Sequence, residues 1–168
     1  MPTRTDYVYW DTSVFSSYVG AIPDRLPIID ALFEQVANTS RTKIITSGIS
    51  ILEVAFASGH GPARRMPPEI EATIDEIWRS PNVEIVDVNS YLLYEARDLM
   101  RRTVDQGWSM GPNDALHLAT AIWVNQTIGM VLKIHTYDNW TRFTAMVGGI
   151  PISEPHVTQP SLPFGIQA

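Results

Sequence analysis

The chain contains no cysteine, and this absence narrows the chemistry open to it. Without thiols there is no disulfide framework and no thiolate zinc site, so a reducing cytoplasm is the expected compartment. Long apolar runs are also lacking, since none approaches the roughly 20 residues that a membrane-spanning helix requires. The first residues show no signal-peptide pattern. We therefore expect a cytoplasmic protein that does not enter a membrane.

Basic residues are scarce as well. Twelve lysines and arginines stand against 18 aspartates and glutamates, which gives a formal net charge of −6. This balance argues against capture of nucleic acid by overall charge, but it leaves room for a local basic patch or for an acidic site neutralised by a metal ion. A content of 45% hydrophobic and 18% charged residues is typical of a globular protein. The length predicts one domain over residues 1–153 and a proline-containing tail over 154–168.

Short apolar runs alternate with stretches of helical periodicity. Runs of β-branched and aromatic residues predict strands at 7–10, 43–46, 83–86, 130–135 and 150–152. Apolar residues at helical spacing predict helices at 15–19, 26–38, 47–57, 69–78, 90–106, from about 110 to 126, and 140–147. The third strand is expected near an edge, and the last one at an edge because it contains a proline. This order predicts an α/β domain, a three-layer α/β/α sandwich with a central, mostly parallel sheet.

Four acidic residues fall at comparable places in this pattern. Asp11 follows the first strand, and Glu53 lies in the helix after the second. Asp114 begins a later helix, and Asp138 follows the fourth strand. In open parallel sheets, ligands bind just beyond the carboxyl ends of the strands. The four positions therefore predict one shared acidic site.

Each acid also has a purely structural interpretation. Asp11 can cap the helix that follows it. Glu53 completes a capping-box pattern that starts at Ser50. Asp114 suits the dipole of a first helical turn, and Asp138 fits an ordinary turn. No single position decides between structure and chemistry.

The surroundings of Glu53 favour chemistry. The helix predicted over 47–57 is apolar nearly all round, which is typical of a buried helix. An ionised carboxylate there is costly unless it is paired, and few basic residues lie nearby in the sequence. Four carboxylates at one sheet edge also repel one another without a cation. Because Mg²⁺ and Mn²⁺ prefer carboxylate oxygen, we predict such a site, and the usual reaction there is phosphodiester hydrolysis.

Four segments resemble, in order and separation, the successive motifs of the PIN domain. They are Asp11-Thr12-Ser13-Val14-Phe15, Ile51-Leu52-Glu53-Val54, the stretch Asn-Asp-Ala-Leu-His-Leu-Ala-Thr-Ala over 113–121, and Thr136-Tyr137-Asp138-Asn139. The resemblance extends over nearly the whole chain up to about residue 152, and Asp-Ala-Leu-His-Leu-Ala is its most specific part. At this length the chain most resembles the VapC-type toxins of bacterial toxin–antitoxin pairs.

The resemblance implies an activity, partners and roles for particular residues. It implies an endoribonuclease that needs Mg²⁺ or Mn²⁺, forms a homodimer and is held inactive by a cognate antitoxin. By motif, the catalytic, metal-binding acids are Asp11, Glu53, Asp114 and Asp138. By the same motifs, the residues that orient carboxylates or water around the metal are Ser13, Thr136 and Asn139.

The sequence gives weaker evidence for the roles of several further residues. The pairs Arg64-Arg65 and Arg101-Arg102 are candidates for contacts with RNA phosphates. His117 lies three residues after Asp114, on about the same helix face, and a packing or supporting role is favoured over that of general base. Base stacking is considered for Tyr137 and Trp140, against the commoner role of aromatic residues in a core.

Two rival interpretations remain open at this stage. Haloacid-dehalogenase-like phosphatases and response-regulator receivers also have an aspartate after the first strand. The phosphatases require a second aspartate where this chain has Ser13, and both classes require a lysine late in the sheet, whereas Lys133 lies inside the fourth strand. The other rival is a PIN-like RNA-binding module that has lost its metal, although all four acids are present.

Overall fold

The structure, a computed structural model, describes residues 5–55 and 66–157. Its strands are β1 Asp6–Trp10, β2 Thr42–Ser47, β3 Val83–Val86, β4 Met130–His135 and β5 Ile152–Ser153. Its helices are α1 Thr12–Val19, α2 Leu26–Ala37, α3 Ile49–Glu53, α4 Pro68–Arg79, α5 Ser90–Asp105 and α6 Pro112–Thr127, and a 3-10 helix spans Thr141–Val147. Every predicted strand and helix has a counterpart among the described residues, and the largest difference is in the helix after β2.

The five strands form one sheet in the order β3-β2-β1-β4-β5. Every neighbouring pair is parallel, so the sheet is wholly parallel where the sequence predicts a mostly parallel one. The first strand lies at the centre, and β3 and β5 lie at the edges, as predicted. Because all strands point the same way, their carboxyl ends meet along one side of the sheet. The loops that follow β1, β2 and β4 are therefore neighbours.

Alternate side chains of the strands enter two separate cores. Tyr9 and Ile45 belong to the core that includes α5 and α6, whereas Trp10 and Ile44 belong to the core that includes α1, α2 and α4. Successive residues of a strand point to opposite faces of the sheet, so helices cover both faces. The α/β class and the three-layer sandwich are confirmed.

The helix after β2 differs from the prediction. The apolar pattern predicts a buried helix over 47–57, but α3 covers only Ile49–Glu53. Leu52 is 73% exposed and Ile51 is 44% exposed. A helix of little more than one turn at the edge of the sheet presents only one side to the protein, so its other apolar residues stay in solvent. Residues 56–57 lie outside the described residues.

The capping-box interpretation of Glu53 is also wrong. Gly48 is the N-cap residue of α3, and Ser50 lies inside the helix. The hydroxyl of Ser50 is 2.8 Å from that of Thr46 and forms a hydrogen bond with it. Glu53 is therefore free of the helix start and reaches side chains from other elements.

The described residues end four positions beyond the predicted domain boundary. Residues 154–157 have no regular secondary structure, and 158–168 lie outside the described residues, so the division at residue 153 stays a prediction. No helix within 5–55 or 66–157 combines the length and the hydropathy needed to cross a bilayer.

We predict that Gly129→Ala destabilises the fold more than Gly107→Ala does. A Cβ at Gly129 would lie 2.5 Å from the backbone oxygen of Thr5 and would overlap the ring of Tyr7, so the start of β1 would have to shift. We expect a loss of about 2–3 kcal/mol, the range of an overpacked core. A Cβ at Gly107 meets nothing within 4 Å, and its left-handed backbone costs only about 1 kcal/mol. Urea unfolding of both variants measures the difference, and equal losses would contradict the prediction.

Candidate active site

The four predicted acids lie along the carboxyl side of the sheet. Asp11 directly follows β1 and is the N-cap residue of α1. Glu53 ends α3, just after β2, and Asp114 lies in the first turn of α6. Asp138 follows β4 by three residues. Asp11, Glu53 and Asp138 lie on that side because β1, β2 and β4 run parallel and end there, whereas Asp114 reaches it from the first turn of α6, which follows α5.

Asp11 is held by hydroxyl groups from two sides. Its side chain is almost wholly buried, and the residue is only 1% exposed. Oδ1 accepts hydrogen bonds from the backbone N–H of Ser13 at 3.1 Å and from the Ser13 hydroxyl at 2.6 Å. Oδ2 accepts one from the Thr136 hydroxyl at 2.9 Å. Asp11 therefore caps α1, as its structural interpretation requires, and at the same time faces the loop after β4.

The same hydroxyls fasten the loop that carries Asp138. The backbone N–H of Tyr137 donates to Ser13 Oγ at 2.8 Å, and that of Asp138 donates to Thr136 Oγ1 at 2.9 Å. Asn139 is exposed, and within the described part of the chain no hydrogen bond joins it to any of the four acids. Two of the three predicted orienting residues thus contact an acid, and Asn139 does not.

Glu53 is held by a different set of groups. Its Oε2 accepts hydrogen bonds from the Thr12 hydroxyl and, at 2.9 Å, from Nε2 of His117. Its Oε1 accepts one from Nδ2 of Asn113 at 2.8 Å. The expectation that Glu53 is surrounded by apolar side chains is therefore wrong. Its partners come from α1 and α6, which are remote in the sequence.

The ionisation of the acids reflects these surroundings. Burial raises the pKa of Asp11 to about 7, although the hydrogen bonds from Ser13 and Thr136 oppose the rise. Burial by itself would raise the pKa of Glu53 too, but its hydrogen bonds from His117 and Thr12 outweigh burial and lower it.

The carboxylates also act on one another. The pKa of Asp114 is raised, first by burial and then by the negative charge of Asp138, with a smaller contribution from Glu53. The charge of Asp138 likewise contributes to the raised pKa of Asp11. Such mutual repulsion is the electrostatic condition that a bound divalent cation relieves.

The donor set fits a hard cation in its chemistry. It consists of carboxylate oxygens, and the chain has no thiol to favour a softer metal. Within residues 5–55 and 66–157, no three acidic or histidine side chains are already spaced as ligands of a single ion. A Mg²⁺ or Mn²⁺ ion held by Asp11, Glu53, Asp114 and Asp138 would therefore require side-chain rotation, for which the half-exposed Asp114 and the exposed Asp138 have room.

Three supporting residues were not singled out from the sequence. Thr12 and Asn113 each adjoin a predicted acid, and that adjacency within the motifs was the available signal. Arg25 lies with its guanidinium carbon 3.8 Å from the ring centre of Tyr137 and donates to Ser17 Oγ at 2.9 Å, which puts a cation beside the loop after β4. No local pattern marks Arg25.

The basic and aromatic residues considered for contacts with RNA lie in different parts of the protein. Arg64-Arg65 lies outside the described residues. Arg101 and Arg102 are exposed on α5. Trp140 is buried and its ring lies 6.0 Å from that of His117, so it is a core residue and not a stacking platform.

Comparisons with known proteins identify the family and the fold. The family model of the PIN domain matches residues 8–141. No curated protein matches the chain. A solved structure of VapBC2 from Rickettsia felis, bound to a DNA fragment from its promoter, is similar with a TM-score of 0.61 and 16% identity over 89% of this chain and 98% of that one.

Two further solved structures share the fold. DNA-bound VapBC from Salmonella typhimurium has a TM-score of 0.58 and 19% identity over 89% of this chain and 98% of that one. VapC20 from Mycobacterium tuberculosis, described as a sarcin-ricin loop cleaving toxin, has a TM-score of 0.57 and 16% identity over 83% of this chain and 94% of that one. At these identities the likeness extends to the fold alone. Because the family model matches most of its length, the chain belongs to the PIN domain family.

Proposed function

We propose that this chain is a Mg²⁺- or Mn²⁺-dependent endoribonuclease that acts in the cytoplasm as the toxin of a toxin–antitoxin pair. The observation that carries the proposal is that all four acids lie along the carboxyl side of the sheet, in a chain of the PIN family. The similar structures include a toxin described by its cleaving activity and two VapBC complexes bound to DNA. These descriptions support a nuclease with an antitoxin as its partner.

The proposed metal ligands are the four acids Asp11, Glu53, Asp114 and Asp138. When bound, Mg²⁺ or Mn²⁺ supplies Lewis-acid chemistry, which lowers the pKa of water and offsets negative charge at a phosphate. The chain's own contribution is orientation. Two hydroxyls hold both oxygens of Asp11, and Thr12, Asn113 and His117 hold both oxygens of Glu53. 

Arg25 lies beside the loop after β4, and we propose that it meets an RNA phosphate there. It stacks on Tyr137, in the loop that leads to Asp138. The overall charge of −6 makes such a local contact more important, because the chain as a whole does not attract a polyanion.

The aspartyl-phosphate alternative is less well supported. The haloacid-dehalogenase-like phosphatases need a second aspartate where this chain has Ser13, and that side chain instead donates its hydroxyl hydrogen to Oδ1 of Asp11. Lys133 lines a cavity of about 190 Å³ beside α2, together with His135 and His156. Within the described residues, no lysine forms a hydrogen bond or ion pair with Asp11.

A homodimer is proposed through α5. Leu93 is 54% exposed and Val104 is 71% exposed, and both line an apolar groove of about 700 Å³ between α5 and the start of α6. Exposed apolar patches of this kind mark protein–protein contacts. We propose that a second copy of the chain covers this groove.

We predict that Asp11→Asn and Asp114→Asn each abolish RNA cleavage while the fold survives. Removal of one charged ligand should slow cleavage by about 100-fold or more, the scale of losing one electrostatic stabiliser of a transition state. Cleavage of ribosomal RNA in Mg²⁺ or Mn²⁺ measures the rate, and circular dichroism checks the fold. The control is Asp75→Asn, an exposed acid on α4 that pairs with Arg79. Undiminished cleavage by either site variant would refute the assignment.

We also predict that Mn²⁺ stabilises the folded protein through these acids. An ion that binds only the folded state should raise Tm by about 5–11 °C at one hundred times its Kd. Thermal unfolding with and without Mn²⁺ measures the shift, which Asp138→Asn should remove and Asp75→Asn should keep. The absence of any shift in the wild type would favour the RNA-binding module without metal.

For the homodimer, we predict that Leu93→Glu yields a monomer. The added charge would have to be buried against the second copy, which costs several kcal/mol without a partner. Sedimentation equilibrium compares it with Ala72→Glu, which adds the same charge at an exposed position of α4. A monomeric wild type, or a dimeric Leu93→Glu variant, would exclude this interface.

A further inference from the structure

A line of hydrogen bonds leads from the centre of the sheet to Glu53. The hydroxyl of Tyr9 lies 2.9 Å from Nδ1 of His117, and Nε2 of His117 lies 2.9 Å from Oε2 of Glu53. Tyr9 is 0% exposed and His117 is 2% exposed, so water does not compete for the contact between them, whereas the Glu53 side chain is 24% exposed. The two rings meet nearly edge-on, with centres 6.0 Å apart. This chain of contacts links β1, α6 and α3.

The positions of the hydrogens follow from the partners. Glu53 lies within hydrogen-bond distance of Thr12, Asn113 and His117, and its carboxylate only accepts. The single hydrogen of the Thr12 hydroxyl points to Oε2, so Thr12 Oγ1, 3.0 Å from Nε2, is left as an acceptor. Nε2 of His117 thus faces two acceptors and carries the hydrogen. In a neutral imidazole Nδ1 is then a bare acceptor, and the donor that serves it is the hydroxyl of Tyr9.

We propose that Tyr9 and His117 are positioning residues for Glu53: the Tyr9 hydroxyl donates to Nδ1 of His117, and the Nε2–H of His117 then holds Oε2 of Glu53 at the acidic site. The arrangement of hydrogen bonds stands by itself. Its consequence for metal binding rests on the proposed function, in which Glu53 is a ligand.

The contacts explain why a histidine, and not an apolar residue, occupies this buried position of α6. Residues 115–121 are all buried in the core, so an aliphatic side chain at position 117 would satisfy packing. It would leave the Tyr9 hydroxyl without this partner and would take away one of the two donors that reach Oε2 of Glu53. Replacing a residue that forms a hydrogen bond with a metal ligand commonly weakens metal affinity by about 10- to 100-fold.

The first experiment reads the ring nitrogens of His117 directly. Long-range ¹H–¹⁵N correlation spectra of the metal-free wild type should show a protonated Nε2 and an Nδ1 that accepts a hydrogen bond. The signals that disappear in His117→Gln identify those of His117 among the four histidines of the chain. In Tyr9→Phe, the Nδ1 signal should move to that of an imine nitrogen without a donor, or the hydrogen should redistribute between the nitrogens. An unchanged Nδ1 signal, or a wild type with its hydrogen on Nδ1, would overturn the proposal.

Tyr7→Phe is the matched control for this experiment. Tyr7 lies on the same strand, is buried to a similar degree, and donates its hydroxyl hydrogen to Oε2 of Glu84 at 2.9 Å. Its removal therefore costs a tyrosine–carboxylate hydrogen bond away from the acidic site. The His117 signals should stay unchanged in this variant.

The second experiment separates positioning from packing. Calorimetric titration with Mn²⁺ should show about tenfold weaker binding in His117→Met and a smaller loss in Tyr9→Phe. His117→Gln should stay close to the wild type, because the glutamine amide can donate from nearly the position of Nε2, whereas methionine fills similar space without a donor. Equal losses in the methionine and glutamine variants would mean a packing role and would overturn the proposal. If the wild type itself bound no Mn²⁺ and cut no RNA, the nuclease proposal would fail, and the nitrogen signals would still decide the hydrogen-bond arrangement.

Discussion

A carboxylate buried at the end of the central strand is the constraint on which the acidic site depends. Charge at Asp11 is costly in that position, and burial raises its pKa to about 7 for this reason. Ser13 and Thr136 offset part of the cost by donating to both of its oxygens. The same two hydroxyls accept hydrogen bonds from the backbone N–H groups of Tyr137 and Asp138. The groups that stabilise Asp11 therefore also fix the position of the loop that carries Asp138.

The four acids divide into two kinds. Asp11 and Glu53 have both oxygens engaged by hydrogen-bond donors, which fixes their orientation before any ligand arrives. Asp114 and Asp138 are less enclosed and act on their neighbours chiefly through charge. A frame of two fixed carboxylates with two adaptable ones suits a cation that keeps part of its water shell, as Mg²⁺ usually does.

Much of the fold could be predicted because its signals are local. Each strand is a short apolar run, and α6 begins with Pro112 in a first turn where the missing N–H has no intrahelical partner. The sequence could predict that the four acids share one side of the sheet because Asp11 and Asp138 follow strands, Glu53 comes one short helix after β2, and Asp114 begins α6. The prediction of a buried helix failed for α3, where Ile51 and Leu52 are apolar but exposed. An apolar sequence pattern does not show which side of a short helix packs against the rest of the protein.

By itself, the sequence determined the α/β alternation, the carboxyl-end positions of the acids and the motifs of the PIN family, because each of these is a property of neighbouring residues. Only the tertiary structure decided which groups hold each acid. Glu53 and His117 are 64 residues apart, and Tyr9 and His117 are 108 apart. Contacts between residues so far apart in the sequence form only when the parallel strands and α6 pack into one core. A local sequence pattern does not specify the distances between such residues, so it cannot predict which of them form hydrogen bonds.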